Sequence, residues 1–259
     1  MYIKRAIEDN LLMLLEHIPA IAILGPRQAG KTTLVKEIRN RLNRESIYLD
    51  LENPVDAGAL DHPVEFLNSV SHKTVIIDEI QRKPDLFPAL RAIIDQHREN
   101  GRFILLGSAG PKLLLLSNET LAGRIIYLEL SPFTFPEIQH MGDFRDHWLK
   151  GGFPIPFLLK DTIVRKEWFK SFLSAYMERD MRILGLNTDP AKLHRLFQMI
   201  SAMPGAILNY SSLANSMGIS SPTVAHAISF FERSYIIRLL QPWYANVGKR
   251  LVKSPKVYI

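Results

Sequence analysis

The chain has 259 residues, of which 47% are hydrophobic and 22% are charged, and it contains no cysteine. These proportions are ordinary for folded globular proteins and leave room for one large or two modest domains. The lack of cysteine excludes disulfides, thiolate metal sites and cysteine nucleophiles. A net charge of +6 favours an anionic partner such as nucleic acid, nucleotide or anionic lipid, without choosing among them.

The sequence carries no signal for a membrane or for secretion. No apolar run approaches the roughly 18 residues that a membrane-spanning helix needs. The apolar stretch Leu11–Leu15 follows a basic start, but Glu8 and Asp9 intervene and no small-residue cleavage site follows. This pattern disfavours a signal peptide. We therefore expect a cytoplasmic protein with no membrane partner.

The first 130 residues alternate between apolar runs and amphipathic stretches. Tyr2–His17 has helical spacing of its apolar residues, as do Thr32–Leu42 and Leu86–His97. Between them lie short runs rich in Ile, Leu and Val without polar alternation, which are typical of strands buried on both faces of a parallel sheet. These runs are Ile18–Leu24, Ser46–Leu51, Thr74–Ile77, Arg102–Leu106 and Ile125–Leu130. The alternation predicts an α/β domain over residues 1–130.

The pattern then changes twice. Residues 131–190 are mostly helical in character and are interrupted by prolines and by Gly151–Pro154. Residues 191–259 read as helix, short strand, helix, turn, helix and strand, an order typical of a winged helix-turn-helix. We therefore predict an α/β core, a small helical lid and a winged-helix domain, with boundaries near residues 131 and 190.

Residues 25–32 match the spacing G-x4-G-K-[ST] of a phosphate-binding loop, and they lie between a buried strand and an amphipathic helix. Glycines let successive backbone N–H groups curl around a phosphate, and the N-terminus of the following helix faces the same anion. The lysine reaches the β- and γ-phosphates of ATP, and the threonine hydroxyl is a ligand for Mg²⁺. The predicted nucleotide-binding residues here are Gly25, Pro26, Arg27, Gln28, Ala29, Gly30, Lys31, Thr32 and Thr33.

A second acidic motif follows one strand-helix unit later, where the apolar run Thr74–Ile77 ends in Asp78 and Glu79. The carboxyl end of such a strand lies beside the phosphate-binding loop in a parallel sheet. We predict that Asp78 holds the magnesium through its water shell and that Glu79 activates the attacking water. Two solvated acids that cap the next helix are the alternative. A water-activating glutamate favours an ATPase over a small-molecule kinase, which needs none.

With these motifs in place, the chain resembles a prokaryotic AAA+-type ATPase family that joins such a core to a winged helix and a C-terminal nuclease-like domain of unknown function. The resemblance covers nearly the whole chain, whereas the last domain has no counterpart before Ile259. The matching stretches are Ile23–Leu34, Ile77–Gln81, Leu106–Ser108, Leu121–Arg124, Leu130–Glu137, Gly151–Pro154, Lys249–Arg250 and Lys253–Tyr258.

The resemblance implies a five-stranded parallel sheet of order 5-1-4-3-2 and three further site residues. Ser108, after the fourth strand, matches a polar sensor of the γ-phosphate, although a serine at a strand end can also be unremarkable. Arg124 matches an arginine finger, with a plain surface arginine as the alternative. Pro154 matches a Gly-x-Pro turn that touches adenine, with an ordinary loop turn as the alternative.

The winged helix leaves the partner open. Its third helix, Pro222–Arg233, exposes few side chains suited to reading bases, whereas Lys249, Arg250, Lys253 and Lys256 could contact phosphates without sequence preference. A winged helix can also be purely structural, packing on the ATPase core or on a partner protein, and the side-chain chemistry favours this protein-only role over non-specific DNA contact. The leading hypothesis is a magnesium-dependent ATPase switch or motor that moves the winged helix. The alternative is an ATP-gated DNA- or protein-binding module with little turnover. Neither reading settles whether the chain forms an oligomer.

Overall fold

A computed structural model describes residues 2–108, 121–183, 185–243 and 254–259 of the chain. These residues form two compact units, Met1–Leu159 and Lys160–Ile259. The predicted lid, residues 131–190, is therefore divided between the two units, and the finer division into three domains stays a prediction. Within the described ranges, no helix is both long enough and apolar enough to cross a membrane.

The first unit is built on a sheet of five parallel strands in the order β2-β3-β4-β1-β5. Counted from the other edge, this is the predicted order 5-1-4-3-2, which is therefore confirmed. The strands are β1 (Ala20–Leu24), β2 (Ser46–Asp50), β3 (Thr74–Asp78), β4 (Phe103–Gly107) and β5 (Ile125–Glu129).

Burial along the strands follows their place in the sheet. All five residues of β1, of β3 and of β4 are buried, because these strands have a neighbour on each side and are covered on both faces. The two edge strands are only partly buried, with a single fully buried residue, Leu49, in β2 and none in β5. The sequence had indicated two-sided burial for all five runs, which is wrong for the edges.

The first described helix of this unit precedes β1, and the others lie between the strands or after β5. Leu11 and Leu15 of the first helix and Leu34, Val35 and Ile38 of the second pack with strand residues in one buried cluster. The helices described here are α1 (Glu8–Leu15), α2 (Lys31–Ile38), α3 (Pro54–Ala59), α4 (Pro63–Ser69), α5 (Leu86–Gln96), α6 (Phe135–Ile138), α7 (Phe144–Lys150) and α8 (Pro154–Leu158).

The second unit is helical with one small antiparallel ribbon. Its core contains buried side chains such as Leu193, Leu213, Val224 and Phe231, and Phe172 and Leu173 pack against this core while partly buried. Its longer helices are α9 (Thr162–Ala175), α10 (Pro190–Ser201), α11 (Tyr210–Met217) and α12 (Ser221–Arg233), and its strands are β6 (Arg238–Leu240) and β7 (Lys256–Tyr258). A π-helical turn, Tyr176–Asp180, and a short helical turn, Met181–Ile183, follow α9. The short strand expected between the first two helices of residues 191–259 is reduced to a single bridge between Ile207 and Lys256.

Candidate nucleotide-binding site

The phosphate-binding loop connects β1 to α2, and its backbone requires glycine at two positions. A Cβ on Gly25 would lie 2.1 Å from the carbonyl oxygen of Leu130, so no other residue fits there. Gly30, the residue before α2, has φ +95°, a left-handed conformation that glycine adopts without strain. Gln28 is also left-handed, with φ +62°. These turns fold the loop back over the start of α2, the arrangement predicted from the motif.

Lys31 lies inside this loop. Its side chain is only 6% exposed, and Nζ donates hydrogen bonds to the carbonyl oxygens of Gly25 (2.9 Å) and Pro26 (2.8 Å). Burial lowers the pKa of the Lys31 ammonium to about 8, although the nearby carboxylates of Glu79 and Asp78 oppose that shift. The lysine is therefore placed among the loop's own carbonyl groups, where a phosphate would compete for its protons.

Asp78, the last residue of β3, receives three hydrogen bonds. Its Oδ2 accepts from the Thr32 hydroxyl at 2.5 Å and from the Tyr48 hydroxyl at 2.6 Å, and its Oδ1 accepts from the backbone N–H of Glu79 at 2.9 Å. The residue is 4% exposed. The structure thus brings the loop threonine and the strand-end aspartate together, as the sequence predicted. A hydroxyl and a carboxylate oxygen side by side are ligand types that suit Mg²⁺.

Glu79 follows in a left-handed conformation with φ +55°, which turns the chain sharply after β3. Burial raises the pKa of the Glu79 carboxyl above its ordinary value, and the ammonium of Lys31 opposes the shift. The side-chain N–H of Gln81 donates to Glu79 Oε2. Among the described protein atoms, the buried Gln81 Oε1 finds no hydrogen-bond donor. Glu79 is therefore partly screened from water and held by a neighbouring amide.

Ser108 and Pro154 lie on the side of the unit that carries the loop. Ser108 is partly buried and follows β4, the strand that separates β1 from β3, so it emerges between the loop and Asp78. The Pro154 ring would lie 3.8 Å from a Cβ placed on Gly30. Both positions agree with the predicted contacts to a nucleotide. The sensor role and the adenine contact themselves stay predictions.

Arg124 is placed elsewhere. It precedes β5, and its carbonyl oxygen accepts from the N–H of Ala20 at the start of β1, whereas the phosphate-binding loop follows the end of β1. A five-residue strand spans about 16 Å. Arg124 therefore lies at the amino-terminal end of the parallel strands, whereas the loop lies at their carboxyl end. Its guanidinium binds Asp95 through two hydrogen bonds of 2.6 and 2.9 Å. The structure does not bring Arg124 to the site in its own chain.

The remaining predicted loop residues differ in their surroundings. Ala29 is fully buried, and its N–H donates to the Pro26 carbonyl. The Arg27 guanidinium lies 3.5 Å from the carboxylate of Glu52 at the open side of the loop. Thr33 is exposed on α2. Pro26 and Ala29 therefore shape the loop, Arg27 is partly buried and near enough for its charge to act on Lys31 and Glu79, and Thr33 faces outward.

Sequence reasoning missed a buried cation behind the loop. Arg5 is 3% exposed, and its guanidinium donates to the carbonyl oxygens of Ala29 (2.9 Å) and Ser131 (2.6 Å) and to the carboxylate of Glu137 (3.1 Å). Glu137 also accepts from the backbone N–H groups of Ala6 and Thr134, both at 2.7 Å. This network ties the loop to the segment after β5. Local spacing gives no signal for Arg5, because its partners lie up to 132 residues away.

The Arg5–Glu137 pair predicts a pH-dependent stability. Burial raises the pKa of Glu137, but two backbone N–H groups and Arg5 outweigh it, so the pKa lies below the ordinary value. A depressed carboxyl pKa stabilises the fold above the unfolded-state pKa of about 4.3, and this contribution is lost as pH falls through the folded-state value. Glu137→Gln should lower the free energy of unfolding at pH 7 by about 3 kcal/mol.

Urea unfolding followed by circular dichroism at several pH values tests this prediction. The difference between the parent and Glu137→Gln should be largest near neutral pH and should shrink below about pH 4. Glu65→Gln, which changes an exposed glutamate of α4, is the matched control and should follow the parent throughout. A difference that stays constant down to pH 3 would show that the ionised Glu137 carboxylate contributes nothing.

Two protein families match this chain, each over a separate part of the sequence. Residues 17–139 match a family described as an AAA domain, and residues 141–259 match a domain of unknown function (DUF8612). The first match contains the loop, Asp78, Glu79, Ser108 and Arg124. The second contains Pro154 and the whole second unit.

Individual proteins are similar to this chain over nearly its whole length. An uncharacterized protein of Mycobacterium tuberculosis and one of Mycobacterium bovis are each 36% identical over 256 residues, 99% of this chain. The chain spans about 57% of the length of these curated relatives. A Walker-type ATPase of Pyrococcus abyssi superposes with a TM-score of 0.63 at 15% identity, covering 99% of this chain and 93% of that one. At this identity the likeness shows a shared fold.

Proposed function

We propose that this chain, whose residues 17–139 belong to the AAA+-type P-loop ATPases, binds ATP with magnesium and hydrolyses it to ADP and phosphate. The observation that carries the proposal is the direct contact between the phosphate-binding loop and the acidic strand end. Thr32 and Asp78 are hydrogen-bonded at 2.5 Å, and Glu79 follows immediately. A loop that served only as a chain turn would have no need of two oxygen ligands suited to a cation, Thr32 and Asp78, next to a second carboxyl group, that of Glu79, which is partly screened from water.

Lys31 and Thr32 have separate tasks in this proposal. The Lys31 ammonium exchanges the carbonyl oxygens of Gly25 and Pro26 for the β- and γ-phosphate oxygens of ATP, which are better acceptors because they are charged. Thr32 keeps its hydrogen directed at Asp78, which leaves an oxygen lone pair free for the cation. Bound magnesium would neutralise charge on the phosphates during transfer.

Glu79 is proposed to take a proton from the attacking water. Its raised pKa moves it toward the range in which a carboxylate both accepts a proton at neutral pH and releases it again. The hydroxyl of Ser108 and the ring of Pro154 are proposed to contact the γ-phosphate and the adenine, respectively. Both are supported by their position on the loop side of the unit.

Arg124 fits the proposal only between chains. Because Arg124 lies at the amino-terminal end of the strands and its own loop lies at their carboxyl end, Arg124 could reach a γ-phosphate only in a neighbouring subunit. It would first have to leave Asp95, which holds it at 2.6 Å on an exposed surface. An oligomer is thus a requirement of the arginine-finger hypothesis.

The second unit is proposed to be a winged-helix domain whose position changes with turnover. The helices α10, α11 and α12 and the β6–β7 ribbon occur in the predicted order. On α12, Val224, Ile228 and Phe231 are buried, Thr223 and His226 are exposed, and Ser221 and Phe230 are partly buried rather than exposed. Of the basic residues proposed for the wing, Lys256 is exposed, whereas Lys249, Arg250 and Lys253 lie outside the described residues. Non-specific DNA contact and a protein-only role both stay open.

Phosphate release from ATP by the purified chain tests the proposed function. Release should require magnesium and should stop when the metal is chelated with EDTA. Thr32→Val removes the hydroxyl but keeps the size of the side chain, and it should lower the rate at least tenfold because the cation loses a ligand. Thr162→Val, at an exposed threonine of α9 in the second unit, is the matched control and should keep the rate of the parent. Release that continues in EDTA would contradict the proposal.

An ATP-gated DNA- or protein-binding module with little turnover is the second candidate. Tight, magnesium-dependent ATP binding without phosphate release would favour it. Duplex binding that depends on ATP and weakens steeply with salt would then identify nucleic acid as the partner.

A further inference from the structure

The hydroxyl of Tyr48 donates a 2.6 Å hydrogen bond to the oxygen of Asp78 that also accepts from Thr32. We infer that Tyr48 is a positioning residue for the magnesium site, acting through the Asp78 carboxylate on the Thr32 hydroxyl. The inference rests on the proposed function, because it concerns the cation that accompanies ATP. No spacing motif marks Tyr48 in the sequence, since it lies on another strand, 30 residues before Asp78.

The sheet register explains how Tyr48 reaches Asp78. Tyr48 of β2 is paired with Ile76 of β3, and Asp78 lies two residues beyond Ile76 on the same face of the sheet. A tyrosine is long enough to span the diagonal between the two strands. A shorter side chain at this position would leave one acceptor site of Asp78 Oδ2 without a donor.

Two further contacts fix the tyrosine itself. Its ring packs against the buried cluster formed by α1, α2 and the sheet. The Nζ of Lys36 in α2 lies 5.1 Å from the centre of the ring, a cation–π distance. The hydroxyl is therefore aimed at the carboxylate by a packed ring, so little conformational entropy is lost when the hydrogen bond forms.

The hydrogen bonds around Asp78 have a consequence for cation binding. With Tyr48 and Thr32 on Oδ2 and the Glu79 N–H on Oδ1, the carboxylate cannot rotate without breaking a bond. A fixed carboxylate keeps the Thr32 hydrogen pointed toward it and the Thr32 lone pair pointed away. Outer-shell partners of this kind change metal affinity by about ten- to a hundredfold when they are removed.

The experiment compares the parent with Tyr48→Phe, which keeps the ring and its contact with Lys36 and removes only the hydroxyl. Binding of a fluorescent ATP analogue is titrated with Mg²⁺, and separately measured in EDTA. The concentration of Mg²⁺ at half-saturation should rise about tenfold or more in Tyr48→Phe. Affinity for the analogue in EDTA should change by less than about twofold, since Lys31 and the loop are untouched. Tyr258→Phe, at a partly exposed tyrosine of β7, should match the parent in both.

Three outcomes overturn the inference, and they differ from one another. An unchanged Mg²⁺ midpoint in Tyr48→Phe shows that the hydroxyl does not support the cation. Equal losses of affinity with and without Mg²⁺ show that Tyr48 only stabilises the fold around the loop. A parent chain that binds the analogue no better with Mg²⁺ than in EDTA removes the proposed function itself, and the inference with it.

Discussion

Glu79→Gln is expected to slow ATP hydrolysis by at least about a hundredfold, because the amide cannot accept the proton of the attacking water. ATP binding should be retained, since Glu79 contacts neither the loop backbone nor Lys31 through a hydrogen bond in the described network. The substitution is nearly isosteric and leaves the β3 turn and the three hydrogen bonds of Asp78 in place. Phosphate release and equilibrium ATP binding are measured on the same preparation.

Glu37→Gln provides the matched control for that experiment. Glu37 is an exposed glutamate of α2, so the same chemical change is made on the helix that follows the loop but away from the reaction. It should keep both binding and turnover. If Glu79→Gln hydrolyses ATP as fast as the control, the base is another group and the role assigned to Glu79 is wrong.

Lys31→Met is expected to weaken ATP binding by roughly a hundredfold or more and to remove measurable turnover. Two charge-assisted hydrogen bonds to phosphate are lost, each worth about 1.5–3 kcal/mol, and each 1.4 kcal/mol is a factor of ten in affinity. Methionine fills the same buried space, so the fold should persist. Isothermal titration calorimetry with ATP and Mg²⁺ measures the change.

Lys170→Met is the control for Lys31→Met, because the Lys170 side chain is 78% exposed. It should bind ATP with the affinity of the parent. Thermal melting of both variants shows whether a loss of binding reflects unfolding. A folded Lys31→Met that binds ATP as tightly as the control would place the nucleotide away from the loop.

The sheet and the loop were accessible from sequence because their signals are local. Three of the five strands are buried on both faces and appear as short runs of Ile, Leu and Val. The loop is specified by glycines that its backbone requires, Gly25 for a close approach to Leu130 and Gly30 for a left-handed turn. The strand order itself came from family resemblance, since no local pattern determines which strands are neighbours.

The residues that support the site could not be predicted from the sequence, because their contacts join positions that are far apart in the chain. Tyr48 acts through a register between strands, and Arg5 acts through contacts with residues 24, 126 and 132 positions away. Arg124 shows the converse case. Its motif matches an arginine finger and the sequence places it just before the fifth strand, but the observed parallel pairing is what puts it at the end of the sheet opposite the loop. Sequence spacing identifies a candidate side chain without showing at which end of the assembled strands it lies.

The most direct test of the nucleotide site is a crystal structure of the chain with a non-hydrolysable ATP analogue and Mg²⁺. We expect the phosphates within the Gly25–Thr32 loop and the cation about 2.1 Å from the Thr32 hydroxyl oxygen. The Lys31 Nζ should have left the carbonyl oxygens of Gly25 and Pro26 for the β- and γ-phosphates. An analogue bound outside the loop, with Lys31 still hydrogen-bonded to those two carbonyl groups, would contradict the assignment.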